Sequence, residues 1–239
     1  MERNNVDIKL YQPTPPQLDL LDIIHNVKPV ITLANFGRQT GKTYASMIDA
    51  LYQGMNGKSQ KILFISPTYD NNRRIMTDID TLFEDHKEMK GLIFESIRYK
   101  EQEYVFKNTG SVLSLRSSEQ GDTLRGRKAH KIYIDEAAFI DKIDTIWGAA
   151  QQTLATGGRA LIISTPNGVG NFFHKTWIGA EDGTNDFNFI NLHWSVHPER
   201  GQDWRDDQDK LLGPSLAAQE CDCDFITSGR GVIDGILLE

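Results

Sequence analysis

The chain has 239 residues, 39% hydrophobic and 25% charged, with a formal net charge of −7. That suits one α/β domain, or one with a small appendage, and no apolar run reaches membrane-spanning length. The acidic balance argues against a stand-alone domain living by non-specific nucleic-acid binding, which is usually basic. The polar start Met1-Glu2-Arg3-Asn4-Asn5 lacks the apolar core of a signal peptide, so the chain reads as soluble and intracellular.

Residues 1–29 are polar and proline-marked, with Pro13, Pro15 and Pro16 ahead of a short helix read over 17–25. The Gln17 amide offers a donor and an acceptor that match an adenine edge. Tyr11 offers a ring on which a base can stack. From the residues alone, an exposed helical glutamine is the simpler reading.

Val30-Ile31-Thr32-Leu33-Ala34 reads as a buried strand, and Tyr44, Ile48, Leu51 and Tyr52 keep helical spacing. Between them lies Asn35-Phe36-Gly37-Arg38-Gln39-Thr40-Gly41-Lys42-Thr43. The phosphate-loop pattern is G-x-x-x-x-G-K-[ST], in which backbone N–H groups cradle phosphate, the Lys reaches the outer phosphates and the Thr hydroxyl binds Mg²⁺. Phe36 stands where the first glycine of that pattern belongs, and Gly37 follows one position later. The position between strand and helix still sets the loop's N–H groups at a helix N-terminus, where anions are favoured.

A second buried strand is read over 61–65, followed by a polar helix over 69–85 with Ile75, Ile79, Leu82 and Phe83 on one face. Strands over 103–107 and 111–116 flank Asn108-Thr109-Gly110, a hairpin signal. Arg116, Arg125, Arg127, Lys128, His130 and Lys131 cluster ahead of the next strand, and Arg73-Arg74 form a pair. Such a run is ordinarily a solvated face, but its position suggests that it faces phosphate. Arg125, flanked by glycines in Gly121-Asp122-Thr123-Leu124-Arg125-Gly126-Arg127, suits an arginine finger, with Arg38 as the competing candidate.

Lys131-Ile132-Tyr133-Ile134-Asp135-Glu136 is a short apolar strand ending in two carboxylates. Asp135 would complete the metal shell, and Glu136 would orient the attacking water. An amphipathic helix over 143–154 and an apolar strand over 159–164 come next, ending in Ser164-Thr165-Pro166-Asn167-Gly168. Thr165 and Asn167 could sense a γ-phosphate, although Asn-Gly and Pro also make ordinary turns. A helix is read from 168 to 177, a last strand over 187–194, and residues 201–239 as polar and helical at best. Cys221 and Cys223 lie too close in sequence for a disulfide and have no zinc partners, so they read as reduced thiols.

Alternating strands and helices predict an α/β fold of the P-loop NTPase type (ASCE, RecA-like). Its mostly parallel sheet is flanked by helices, with the ligand at the carboxyl ends of the strands. The expected division is a core over 1–195, its first 29 residues on the adenine side, and a small subdomain over 196–239.

As a set, these residues resemble the ATPase motor domain of the large terminase subunit of tailed bacteriophages. Gly37-Arg38-Gln39-Thr40-Gly41-Lys42-Thr43 is similar to that family's loop, which commonly lacks a first glycine. Leu124-Arg125-Gly126 before Ile132-Tyr133-Ile134-Asp135-Glu136 resembles its Arg-Gly and acidic-strand signature. Ile163-Ser164-Thr165-Pro166-Asn167-Gly168 resembles its coupling motif, and Pro16-Gln17 its adenine-reading glutamine. The resemblance covers about residues 10–230.

It implies ATP and Mg²⁺ as ligands and double-stranded DNA as the substrate moved, with a portal protein and a small terminase subunit as partners. It also implies a ring of subunits when assembled, or a monomer in isolation, working in the host cytoplasm without a membrane. The implied roles are Lys42 and Arg38 on the phosphates, Thr43 and Asp135 on the metal (Asp135 through water), Glu136 on the attacking water, and Thr165 and Asn167 in coupling. The family's second, nuclease domain is not expected in this chain. The rival readings are a superfamily 2 helicase-like ATPase, which needs a second RecA-like lobe, and a nucleotide-gated binding module without turnover.

Overall fold

The structure is a computed structural model, and it describes residues 13–27, 31–37, 40–84, 87–119, 129–154 and 157–225. Eight strands form one sheet in the order β3-β4-β5-β2-β6-β7-β1-β8. Six run parallel: β1 (Ile31–Phe36), β2 (Lys61–Ser66), β5 (Val112–Ser117), β6 (Lys131–Ile134), β7 (Arg159–Ser164) and β8 (Asn188–Leu192). β3 (Phe94–Arg98) and β4 (Glu103–Phe106) extend one edge as an antiparallel meander. The β4–β5 turn falls at the predicted Asn108-Thr109-Gly110, with Gly110 at φ 65.

The pleat turns alternate strand residues toward opposite faces, and each face has its own core. Ala34, Phe36, Ile62, Phe64, Tyr133, Leu161 and Ile163 share one core with α1 (Pro15–Asp22), α2 (Lys42–Asn56) and α3 (Tyr69–Leu82). Leu33, Leu63, Ile65, Ile132, Ile134 and Ile162 share the other with α5 (Ile143–Leu154) and α6 (Phe172–Glu181). A sheet covered on both faces explains why these strands read as continuous apolar runs. A short α4 (Lys87–Ile93) leads into β3.

Several boundaries differ from the sequence reading. α1 starts earlier, at Pro15, because the Gln17 side chain reaches back to accept from the Thr14 N–H and proline suits the first turn. It then passes into a π turn at Ile23–Val27. α6 starts at Phe172, because Gly168 and Gly170 take positive φ (75 and 82) and the Asn171 side chain caps the helix by accepting from His174 N–H. α3 ends at Leu82. On α2 the buried set includes Lys42, Ala45, Ser46 and Asp49 with Leu51, whereas Tyr44 and Ile48 are half-buried and Tyr52 is exposed, so of the positions picked by spacing only Leu51 lies at the centre of the buried face.

The C-terminal stretch is more structured than expected. α7 (Gln202–Leu212) and α8 (Pro214–Cys221) pair through a turn at Gly213, φ 81. Arg205 holds them, its Nε and Nη2 donating to the two carboxylate oxygens of Asp222 at 2.7 Å each and its Nη1 to Asp209 at 2.5 Å. Phe225 then packs against Phe173 and Trp177. Cys221 and Cys223 are free and buried.

Candidate nucleotide site

The sheet order brings the two sequence halves together. β1 runs into the phosphate loop and β6 into Asp135-Glu136, and β7, carrying Ser164, lies between them. All three end on the same side of the sheet because they are parallel. The Thr43 hydroxyl donates to Asp135 Oδ2 at 2.9 Å, closing a sequence separation of 92 residues. Lys42 Nζ lies 2.8 Å from Glu136 Oε1.

Within the loop, Gly41 takes φ 79 ahead of Lys42, the first residue of α2. The left-handed conformation favours glycine, and a Cβ there, 2.1 Å from Gln17 Nε2, would also displace the Gln17 amide. Gln17 is buried and held at both ends of its amide: its Oε1 accepts from Thr14 N–H at 2.8 Å and its Nε2 donates to Gly41 O at 3.0 Å. The Thr40 hydroxyl donates to Gly37 O at 2.6 Å, and Gly37 N–H donates to Leu192 O at 3.0 Å. Arg38, Gln39, Tyr11 and the Arg125 finger candidate lie outside the described residues.

Asp135 is buried. Burial, and then the neighbouring Glu136 carboxylate, lift its carboxyl to about 7, against Lys42, the Thr43 hydroxyl and the Glu136 N–H, which pull it down. Glu136 sits in the left-handed region at φ 50, ψ 46, and its Oε2 is buried without a hydrogen-bond partner. The turn after it (Ala137–Phe139) is clamped from β7: Ala138 N–H donates to Ser164 Oγ at 3.1 Å, and Asn167 Nδ2 donates to Ala138 O at 3.1 Å. Thr165 is buried beside them. Residues 164–167 therefore touch the turn after Glu136 directly.

Two members of the basic cluster are not available to phosphate. Arg116 is buried and spent on Glu103, Glu101 O and Leu115 O. Lys131 begins β6, at the end of the strand away from Asp135, and pairs with Asp49 at 3.4 Å. His130 stands beside it, its Nδ1 accepting from Lys61 N–H at 2.9 Å. Arg125, Arg127 and Lys128 lie outside the described residues.

Sequence reasoning missed three contributors. Ser164 was legible as a strand-final hydroxyl. Asn35 had no such signal: its Nδ2 donates to Cys223 O at 3.0 Å, across 188 residues. Asp49 could have been found as a charged residue on the buried side of α2.

Among curated proteins, the chain is similar to the terminase large subunit of Thermus virus P23-45, at 28% identity over 256 residues, covering 95% of this chain and 51% of that protein. It spans about half the length of the curated relatives it matches. Among solved structures, the large terminase ATPase domain of Thermus phage P74-26 superposes with a TM-score of 0.76 at 25% identity, covering 94% of this chain and 98% of that one. The large terminase of another thermophilic bacteriophage, in complex with ADP, gives a TM-score of 0.71 at 13% identity, over 90% of this chain and 54% of that one, and shares the fold. The family model for the terminase large subunit, T4likevirus-type, N-terminal, matches residues 33–239, and the chain belongs to that family.

Proposed function

We propose that this chain binds and hydrolyses ATP as the motor part of a viral DNA-packaging machine. The observation that carries the reading is the paired contact of Thr43 with Asp135 and Lys42 with Glu136 at the carboxyl ends of a parallel sheet. The similarity to a large terminase ATPase domain, and the fold shared with a large terminase solved with ADP, support it. Double-stranded DNA is the substrate moved, and a portal protein, a small terminase subunit and further copies of this chain in a ring are the partners this reading implies.

A divalent cation fits the residues present. Mg²⁺ takes hard oxygen donors at octahedral spacing. The Thr43 hydroxyl and the Asp135 carboxylate already converge, and a buried carboxyl held near 7 lacks a full counter-charge. When bound, Mg²⁺ would neutralise charge on the β- and γ-phosphates. The Gly37–Thr43 loop holds the phosphates through its N–H groups, with Lys42 and Arg38 supplying positive charge. Glu136 orients the attacking water once Lys42 turns to phosphate. Ser164 and Asn167, which grip the turn after Glu136, give the coupling segment with Thr165 a direct mechanical link to that carboxylate. Gln17 and Tyr11 make the adenine side, and Arg125 supplies charge to a neighbour's phosphates. Residues 1–195 would form the motor core, with 196–239 as a small subdomain appended to it.

The test is phosphate release by the purified chain with ATP and Mg²⁺, with and without double-stranded DNA. Release that Lys42→Ala does not reduce would overturn the reading.

A further inference from the structure

Asp49 lies on α2 beyond the phosphate loop and has no solvent exposure. Both carboxylate oxygens are fully engaged. Oδ1 accepts from Gln53 Nε2 at 3.1 Å and faces His25 Nε2 at 3.1 Å. Oδ2 accepts from the Tyr133 hydroxyl at 2.6 Å and faces Lys131 Nζ at 3.4 Å. His25 belongs to the π turn after α1, the helix whose Gln17 holds Gly41. Tyr133 and Lys131 belong to β6, the strand that ends at Asp135.

One helix is therefore tied to one strand at two levels. From Thr43 to Asp49, α2 advances about 9 Å. From Asp135 back to Tyr133, β6 retreats about 6.6 Å on the same face. Thr43–Asp135 is the upper rung, and Asp49–Tyr133 with Lys131 is the lower. A metal entering between Thr43 and Asp135 must replace the upper rung, whereas the lower one lies away from it. Phe64 stacks on the Tyr133 ring at 5.5 Å and 14°, fixing the direction of its hydroxyl. Stability alone does not call for this arrangement, because a buried ion pair is often no better than apolar packing of the same volume. Directional bonds do what apolar contacts cannot, which is to hold a helix in one register on a strand.

We propose that Asp49 is a positioning residue for ATP hydrolysis: gripping Tyr133 and Lys131, it fixes α2 on β6 and so spaces Lys42 and Thr43 from Asp135 and Glu136. The proposal rests on the ATPase reading above. Asp49's partners, His25, Gln53, Tyr133 and Lys131, all lie outside the phosphate loop, so loss of the lower rung acts on the metal and water geometry more than on phosphate binding. Misplacement of catalytic groups by an ångström costs up to about a hundredfold in rate.

The experiment compares Asp49→Asn and Tyr133→Phe with Ile79→Val, a variant in the same core but on α3, at matched losses of Tm. Two quantities are read: kcat and KM for ATP, and the gain in affinity for a non-hydrolysable ATP analogue when Mg²⁺ is added. Asp49→Asn should lower kcat about tenfold with KM within about twofold, and shrink the Mg²⁺-dependent gain while leaving Mg²⁺-free affinity unchanged. Tyr133→Phe, which removes only the hydroxyl, should shift both in the same direction by less. If both variants match Ile79→Val in kcat and in the Mg²⁺ gain, Asp49 is only a structural ion partner and the proposal falls. A wild-type chain that binds the analogue without turnover would overturn the ATPase reading, yet the Mg²⁺ gain would still decide the role of Asp49. A wild-type chain with no nucleotide affinity would overturn both.

Discussion

A glutamate held at φ 50 is strained by about 1 kcal/mol or more, and such strain persists where surrounding contacts over-determine it. Here Lys42 pins Oε1, and the clamped turn after Glu136 fixes the backbone. Glu136→Gln keeps the shape and removes the charge proposed to orient water, so ATP binding should persist while phosphate release falls at least about a hundredfold. Release near the wild-type rate would move the catalytic role elsewhere. Lys42→Ala should also weaken nucleotide affinity in equilibrium binding, since the lost cation faces phosphate. Asp135 gives a pH dependence of known sign. Its carboxyl sits at about 7 in the fold, through burial and then Glu136, and at about 3.9 in an unfolded chain. The folded state thus holds the proton more tightly, and its stability falls as pH climbs between those values. Without metal, the Tm of Asp135→Asn minus that of wild type should grow from pH 4 to about 7 and then level off; a flat difference would show that Asp135 titrates normally. That Gly-Lys-Thr and Asp-Glu meet was legible, because a phosphate-and-metal site would demand those residue types locally. The need for glycine at 37 was not. A Cβ there would sit 2.8 Å from Cys221 O, brought in by a segment far along the chain.

Helices and strands were legible in proportion to how locally their boundaries are set. β2, β7 and α5 fall where apolar periodicity places them, because both sheet faces are covered and each helix shows one apolar face. α6 does not, because left-handed glycines and the Asn171 cap outrank the apolar pattern that starts upstream. α2 shows how tertiary packing can reverse a propensity rule. Replacing a helical glycine by alanine ordinarily stabilises, by reducing the freedom of the unfolded chain. At Gly54 the new Cβ would lie 2.2 Å from two ring carbons of Phe106, which is itself buried in the core. Gly54→Ala should therefore destabilise, by about 1–3 kcal/mol of overpacking in chemical denaturation. A variant as stable as wild type would show that β4 yields at Phe106. α7 and α8 were read only as a stretch helical at best, because α7 is highly charged and α8 is short, and they are held together by a buried arginine of α7 on Asp222.

At the scale of the molecule, the parallel α/β sheet follows from strands alternating with helices, but the strand order does not. Placing β7 between β1 and β6 is what lets Ser164 and Asn167 touch the turn after Glu136, and no periodicity encodes that neighbourhood. Assembly poses a similar question about the missing positive charge. Among the described residues Lys42 is the cation seen facing Glu136, while Arg116 and Lys131 are consumed elsewhere. Arg38, within the loop by sequence, is expected to act in its own subunit. Arg125, between glycines in a basic stretch, is placed by sequence to reach across to another. A finger supplied in trans is worth about 10³–10⁵ in rate, so an isolated subunit should be slow and an assembled one fast. Arg125→Ala keeps an intact phosphate site, and Glu136→Gln keeps an intact finger. Each should be inactive alone. Mixed under conditions where they co-assemble, they should recover part of the wild-type phosphate release, because an Arg125→Ala site can then receive the finger of a Glu136→Gln neighbour. Co-assembly shown by light scattering with no recovered activity would place Arg125 in its own subunit's site or in the fold.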